Sequence, residues 1–158
     1  EDVRIIGYVH DVGKIVVPSE ILSKPGRISD VEMALIKEHA QAGYEMIMEA
    51  GLPREFALAV GQHHERYNGS GYPNKLSHKD ILLEAKVLVV ADVVEAMISH
   101  RPYRSARTLE TAIQEIEQNK GILYDPEVVD ACMRLLRQKD YVVDDTSHKV
   151  QITREEYR

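Results

Sequence analysis

The sequence predicts an all-α fold in which several helices pack into a bundle around one core. Residues 3–12 place apolar side chains on one helical face. The series Ser29-Asp30-Val31-Glu32 has the form of a capping box, and Asp125-Pro126 joins an N-cap residue to a proline at the first helical position. With 158 residues, 44% of them hydrophobic, the chain is long enough for one domain with a substantial core.

The first half of the chain is expected to alternate helices with connectors. The first helix ends near Gly13, and residues 16–29 form a connector with one short turn, because they contain two prolines and a glycine. The capping box opens a helix that ends at Gly51. Pro53 takes the first position of a further helix, which continues to about Tyr67.

The second half begins with a loop rich in glycine and proline at 68–77. The segment 81–99 is ambiguous, because its β-branched residues favour a strand whereas its length favours a helix, and we predict a buried helix. A basic loop follows at 101–107, and Thr108 caps a helix that ends near Gly121.

The chain is expected to be one domain followed by a tail. The last helix continues to about Lys139, so the domain is placed at 1–139 and a polar tail, linker or short strand at 140–158. The chain starts without Met and inside the first helix. We therefore expect an N-terminally truncated domain from a longer protein.

Composition disfavours several classes of function. A net charge of −6 argues against binding of polymeric nucleic acid, although a local basic cluster can still hold a small anion. The single cysteine, Cys132, excludes an internal disulfide and fits a reducing cytosol, so a cytoplasmic location is expected. No apolar run approaches the roughly 20 residues of a membrane-spanning helix, and no signal-peptide pattern is present.

Two histidine motifs in the first half are candidates for chemistry. His10 and Asp11 would diverge by roughly 100° on a helix and could flank one ion, and the second carboxylate oxygen could bridge to another. Lys14 shares their face and suits a phosphate. His39 precedes Gly43 by one turn, and a glycine inside a helix costs about 1 kcal/mol. Either room for a ligand above the imidazole or close helix packing would account for this glycine.

Two further motifs complete the set. His63 and His64 are adjacent, and rigid neighbouring imidazoles more naturally serve two ions, or an ion and a substrate, than one ion. Asp92 lies within a run of valines, where a carboxylate is costly to bury unless it is paired or bound to a metal. Each motif alone has an ordinary structural explanation, such as a capping or salt-bridged side chain.

Together the candidates are nitrogen and oxygen donors from four predicted helices. They are His10, Asp11, His39, His63, His64 and Asp92. Helix bundles can project such residues inward, as carboxylate-bridged metal sites do. Six donors leave coordination positions open for water and phosphate oxygens, which hydrolysis requires. Because no thiolate is available, iron or manganese is favoured over structural zinc.

Five motifs carry a resemblance to a known family. The stretches HDVGK, HAQAG, HHERYNGSGYP, ADVVEA and RPYR occur in the order and spacing of HD-GYP domains, a branch of the HD metal-dependent phosphohydrolases. The resemblance covers residues 3–136. It implies a helical bundle of the HD phosphohydrolase type with two or three divalent metals, iron or manganese, in its core. It also implies hydrolysis of the bacterial second messenger cyclic di-GMP to linear pGpG, GMP or both.

The resemblance also implies roles for individual residues. The six candidates above match the family's metal ligands. Asp11 matches the bridging aspartate, and Lys14 matches a lysine that assists at the scissile phosphate, so these two are the catalytic residues. The substrate-binding residues that the motifs imply are Gly71, Tyr72, Pro73, Arg101 and Arg104. The family usually has a further histidine, often with a glutamate, in a helix before the HD motif, and this chain does not contain that helix.

Other readings of the function stay open. The domain could hydrolyse another cyclic dinucleotide such as cyclic GMP-AMP, or a mononucleotide, although the GYP loop disfavours the latter. It could instead be a non-catalytic module that senses cyclic di-GMP or docks a partner. The resemblance further implies an N-terminal receiver or sensory domain, as in two-component response regulators, and a diguanylate cyclase as a partner.

Overall fold

The computed structural model describes residues 2–99 and 107–137. Within these ranges the chain is built from seven α-helices and one short 3-10 helix, so the all-α prediction is confirmed. They are α1 (Asp2–Val9), the 3-10 helix (Val12–Val16), α2 (Ser19–Leu22), α3 (Asp30–Glu49), α4 (Arg54–Gln62), α5 (Leu83–Ile98), α6 (Leu109–Gln118) and α7 (Pro126–Leu136). The predicted boundary between domain and tail lies outside the described residues.

Three predicted helix starts are confirmed by their capping hydrogen bonds. The Ser29 hydroxyl accepts from the backbone N–H of Glu32, whose carboxylate accepts from the Ser29 N–H, so the capping box is complete. The Asp125 carboxylate accepts from two backbone N–H groups at the start of α7, and Thr108 accepts from the Thr111 N–H at the start of α6. These side chains satisfy N–H groups that have no partner within a helix.

Two predicted helix ends are wrong, and both errors fall at histidines. The first helix ends at Val9 rather than near Gly13, and α4 ends at Gln62 rather than Tyr67. At each end a histidine Nδ1 atom is hydrogen-bonded to the carbonyl three residues earlier, from His10 to Gly7 and from His63 to Val60. These bonds give the carbonyls at the two helix ends a partner, but His39 makes the same bond to Ile36 inside α3, so the bond does not by itself end a helix.

Smaller differences concern the other boundaries. Pro53 is the N-cap of α4 with an extended backbone, not its first helical residue. The helix α7 ends at Leu136, and the predicted end at Lys139 lies outside the described residues. The ambiguous segment 81–99 is a helix, α5, as predicted. Its many valines reflect burial, since α5 belongs to both hydrophobic clusters of the core.

The core consists of two clusters that share α5. One cluster joins α5 to α6 and α7, with Val90, Ile116 and Val129 fully buried. The other joins α1, α3 and α4 to α5 through Ile6 and Leu88, among others. These contacts hold α1, α3, α4 and α5 together, which are the elements that carry or precede the candidate ligands. No described helix is long and apolar enough to span a membrane.

Close backbone packing accounts for the glycine in α3. A Cβ atom on Gly43 would lie 2.8 Å from a methyl group of Val60 on α4. Gly13, in the 3-10 helix, packs still more closely against the backbone of α3. A Cβ atom there would come 2.5 Å from the Gly43 nitrogen and 2.0 Å from the His39 carbonyl oxygen. Of the two explanations for Gly43, helix packing is therefore the one that the structure supports. This packing brings the His10–Asp11 turn against the helix that bears His39.

Candidate metal centre

The structure brings the six predicted ligand residues into one cluster. His10 and Asp11 lie in the turn after α1, His39 on α3, His63 and His64 at the end of α4, and Asp92 on α5. The carboxylate of Asp11 is central. Its Oδ1 atom lies 3.6 Å from His39 Nε2 and 3.8 Å from His63 Nε2, and its Oδ2 atom lies 3.5 Å from His10 Nε2.

The donors fall into two groups that share Asp11. On one side, His10 Nε2 lies 4.0 Å from Asp92 Oδ1. On the other side, His39, His63 and His64 offer nitrogen atoms that all lie within 4.8 Å of one another. A carboxylate between two donor groups can contribute one oxygen to each, which is the arrangement of two-metal hydrolytic sites.

Three of the four imidazoles are oriented by the same backbone contact. The Nδ1 atoms of His10, His39 and His63 lie 2.7, 2.6 and 2.5 Å from the carbonyl oxygen three residues earlier. A carbonyl can only accept, so Nδ1 carries the proton and donates it. In each neutral ring the lone pair is then on Nε2, the atom that faces the cluster. This is the tautomer that a metal-binding histidine requires.

The fit to a metal follows from how close these lone pairs are. His39 Nε2 lies 3.3 Å from His63 Nε2 and 3.1 Å from His64 Nε2. Burial lowers the pKa of His63 to about 4 and that of His64 to about 2, so both rings are neutral at pH 7. The Nε2 lone pairs of His39 and His63 face each other and repel, and a shared cation converts that repulsion into coordination. Among the described residues no carbonyl sets the tautomer of His64, so its contact with His39 is a hydrogen bond when His64 Nε2 carries the proton. The donor set therefore fits a divalent ion.

Lys14 forms an ion pair with the central carboxylate. Its Nζ atom donates to Asp11 Oδ2 at 2.5 Å, and its side chain is 40% exposed. Burial raises the pKa of Asp11, but the hydrogen bond and the charge of Lys14 outweigh this effect and hold the pKa below its ordinary value. The carboxylate is therefore ionised at neutral pH, as a ligand must be.

The GYP loop lies directly against the cluster. The ring of Tyr72 stacks on that of His64, with centroids 4.7 Å apart and planes 24° from parallel. Gly71 packs against the backbone of the segment that precedes the loop, since a Cβ atom at Gly71 would come 2.4 Å from the Arg66 nitrogen. Pro73 follows through a cis peptide bond. Arg101 and Arg104, also predicted to bind substrate, lie outside the described residues.

Two buried polar residues beside the histidines were missed by the sequence analysis. Glu65 is 1% exposed, and its carboxylate accepts from the backbone N–H groups of Asn74 at 2.7 Å and Leu76 at 3.0 Å. Gln62 accepts from the Leu82 N–H at 2.8 Å, just before α5. These side chains attach the GYP loop and the Asp92 helix to the end of α4. A carboxylate next to a loop rich in glycine was a sequence signal for such an anchor.

Comparison with known proteins gives the family. A family model described as HD domain matches residues 1–128. A cyclic di-GMP phosphodiesterase response regulator of Xanthomonas campestris, RpfG, is 43% identical over 141 residues, which are 85% of this chain and 37% of that protein. A cyclic di-GMP phosphodiesterase of Thermotoga maritima is 38% identical over 160 residues, covering 93% of this chain and 42% of that protein. The chain thus spans less than half the length of these relatives.

Two further similarities concern proteins with a different named substrate. A 3'3'-cGAMP-specific phosphodiesterase of Vibrio cholerae is 31% identical over 133 residues, covering 84% of this chain and 29% of that protein. A crystal structure of a cyclic GMP-AMP specific phosphodiesterase from the same species matches with a TM-score of 0.60 at 18% identity, covering 88% of this chain and 41% of that chain. At this identity the structural likeness concerns the fold.

An HD domain implies binding of divalent metal ions, which the donor set around Asp11 fits. Together with the match to residues 1–128, the motifs from HDVGK to GYP show that this chain belongs to the HD domain family and to its HD-GYP branch.

Proposed function

We propose that this domain is a metal-dependent phosphodiesterase that hydrolyses cyclic di-GMP to pGpG, GMP or both. The observation that carries the proposal is the convergence of three imidazoles, those of His10, His39 and His63, on the ionised carboxylate of Asp11, with His64 beside His39 and His63. The names of the two relatives of highest identity described above support cyclic di-GMP as the substrate. Bound at this cluster, two divalent ions would lower the pKa of a shared water and stabilise charge on the phosphate.

We assign the ligands to two ions. His10 and Asp92 would hold one, and His39, His63 and His64 would hold the other, with the Asp11 carboxylate between the two groups available to both. Iron or manganese suits this set, because it contains imidazole and carboxylate groups and no thiolate. The distances support this division. On one side His10 lies 3.5 Å from Asp11 and 4.0 Å from Asp92, and on the other side His39 and His63 lie 3.6 and 3.8 Å from Asp11.

The residues of the chain would share the work of binding and charge stabilisation. The Lys14 ammonium, exposed on one side and paired with Asp11 on the other, is suited to offset charge on the scissile phosphate or its leaving oxygen. Tyr72 lies where the loop meets the cluster and would line the substrate site. The guanidinium groups of Arg101 and Arg104 would bind phosphate oxygens.

The proposal is tested by product chromatography. Cyclic di-GMP is incubated with the protein, which is prepared anaerobically with Fe(II) or Mn(II). Metal-dependent formation of pGpG or GMP is expected, together with its loss in a His63→Ala/Asp92→Ala double variant. His78→Ala is a matched control, because His78 stacks on Tyr67 and is not among the clustered residues. Turnover retained by the double variant, or absent from metal-loaded protein, would contradict the proposal.

Cyclic GMP-AMP is the second candidate substrate. It is favoured by the 31% identity to a phosphodiesterase named as specific for 3'3'-cGAMP. Parallel assays with the two dinucleotides would rank them by kcat/KM, and a higher value for cyclic GMP-AMP would replace cyclic di-GMP as the substrate. Tight binding of dinucleotide without metal and without turnover would instead identify a sensor module.

We also propose a regulatory context for the domain. One relative is named as a response regulator, which supports a receiver or sensory domain preceding this one in the whole protein. A diguanylate cyclase is proposed as a partner, because it makes the substrate. Affinity purification of the whole protein with a tagged cyclase tests this partnership.

A further inference from the structure

One imidazole of the cluster is held differently from the other three. His10, His39 and His63 are each oriented by a hydrogen bond from Nδ1 to a backbone carbonyl. In the part of the chain that the structure describes, the Nδ1 atom of His64 has no such bond. The ring of His64 instead stacks on Tyr72, with centroids 4.7 Å apart and planes 24° from parallel.

The stacking ring is itself attached to the segment that carries His64. The Tyr72 N–H donates to the His64 carbonyl oxygen at 3.2 Å. Gly71 lies against the backbone of Glu65 and Arg66, where a Cβ would come within 2.4 Å. Beyond the GYP triplet, the buried Glu65 carboxylate binds two further N–H groups of the loop. The loop therefore has little freedom to move its tyrosine away from His64.

We propose that Tyr72 is a positioning residue for His64. Its ring fixes the plane of the His64 imidazole by stacking, whereas each of the other three imidazoles is oriented by a backbone carbonyl. The inference rests on the metal centre of the proposed function. It gives the GYP loop a role in metal binding besides contact with substrate. Partners that orient a metal ligand typically contribute about 10- to 100-fold to metal affinity.

Metal titration of three variants tests this role without any assay of turnover. Mn(II) binding is followed by the electron paramagnetic resonance signal of the free ion. Tyr72→Leu, which removes the stack, is expected to weaken at least one Mn(II) site by about 10-fold or more. Tyr72→Phe keeps the stack and is expected to bind as the wild type does. Tyr67→Leu is the matched control, because Tyr67 stacks on His78, with centroids 4.7 Å apart, outside the cluster.

A double-mutant cycle separates positioning from a general effect on folding. If Tyr72 acts through His64, Tyr72→Leu has no further effect on Mn(II) affinity once His64 is replaced in His64→Ala. Additive losses would overturn the inference, as would equal affinity in Tyr72→Leu and the wild type, or equal losses in Tyr72→Leu and Tyr72→Phe.

Loss of folding and loss of turnover can each be separated from loss of positioning. If Tyr72→Leu does not fold, Glu65→Gln serves as the second variant, because glutamine has one acceptor oxygen for the two loop N–H groups, so the loop and its tyrosine can shift away from His64. Lower Mn(II) affinity in that variant is expected, and unchanged affinity would overturn the inference. Metal-loaded protein without turnover would refute only the proposed function, whereas wild-type protein that binds no Mn(II) would overturn both.

Discussion

The contact between Gly13 and α3 gives the sharpest prediction about how the cluster is held. A Cβ at position 13 would lie 2.0 Å from the His39 carbonyl oxygen. Carbon and oxygen atoms in close contact are ordinarily about 3.3 Å apart, so Gly13→Ala requires the 3-10 helix and α3 to separate by more than about 1 Å. The atom in the way belongs to the backbone of α3, so the clash cannot be relieved by a change of side-chain rotamer.

Separation at this point would act on both stability and metal binding. Overpacking of this kind costs about 1–3 kcal/mol, and more where backbone must move. The shift would also increase the distance between Asp11 Oδ1 and His39 Nε2, which is now 3.6 Å. Because binding sites tolerate misplacement of only about 0.5 Å, we expect Gly13→Ala to lose at least about 10-fold in Mn(II) affinity. Urea unfolding and Mn(II) titration measure the two effects.

Gly7→Ala is the matched control for this prediction. Gly7 lies in α1, and the nearest atom to an added Cβ would be Leu88 Cδ2 at 3.9 Å, an ordinary contact. Replacing a helical glycine with alanine is expected to stabilise the protein by up to about 1 kcal/mol. Its carbonyl, which orients His10, is retained. If Gly13→Ala matched the wild type in both unfolding free energy and metal affinity, the reasoning from backbone contact would be refuted.

Three further predictions concern the same elements. The free energy of unfolding of the metal-free protein should fall as pH is lowered from about 6.5 to 4, because His63, with its pKa lowered to about 4, takes up a proton more readily in the unfolded chain. At about 1.4 kcal/mol per pKa unit the loss is on the order of 3 kcal/mol from this residue, and His64, whose pKa is lowered further, adds to it. Denaturant unfolding across this range would show a flat profile if neither ring were buried. Glu65→Ala should destabilise the protein by about 1–3 kcal/mol per loop N–H left without a partner, with faster hydrogen exchange confined to residues 74–76, and unchanged exchange there would contradict the anchoring role. Ser29→Ala should cost about 1 kcal/mol in urea unfolding through loss of the α3 cap while Mn(II) affinity stays at the wild-type value, so reduced affinity would show that the cap and the cluster are coupled.

Some features of the fold were readable from local sequence because local contacts produce them. The capping box at Ser29 and the N-cap at Asp125 are formed by side chains and N–H groups two or three residues apart, so their spacing in the sequence is enough to predict them. The apolar helix at 81–99 was harder, because burial on several sides removes the amphipathic pattern that distinguishes a helix from a strand. The length of this segment favoured a helix, and that prediction is confirmed.

The ends of α1 and α4 were not readable in this way. The apolar pattern continued past Val9 and Gln62, whereas in the structure both helices stop where a histidine enters the cluster around Asp11. Whether an imidazole points back to its own helix or outward depends on what its Nε2 atom faces. That choice is made by residues brought from other helices, which local propensity does not describe.

What the sequence determined by itself was the inventory of the site, namely four histidines, two aspartates, Lys14 and the GYP loop in a chain of helices. Tertiary structure alone decided how these groups are divided about Asp11, why Gly13 and Gly43 lack side chains, and that Tyr72 stacks on His64 rather than standing free. The reason is physical. Donor identity is a property of each residue, whereas distances of 3 to 4 Å between groups far apart in the chain depend on the packing of whole helices.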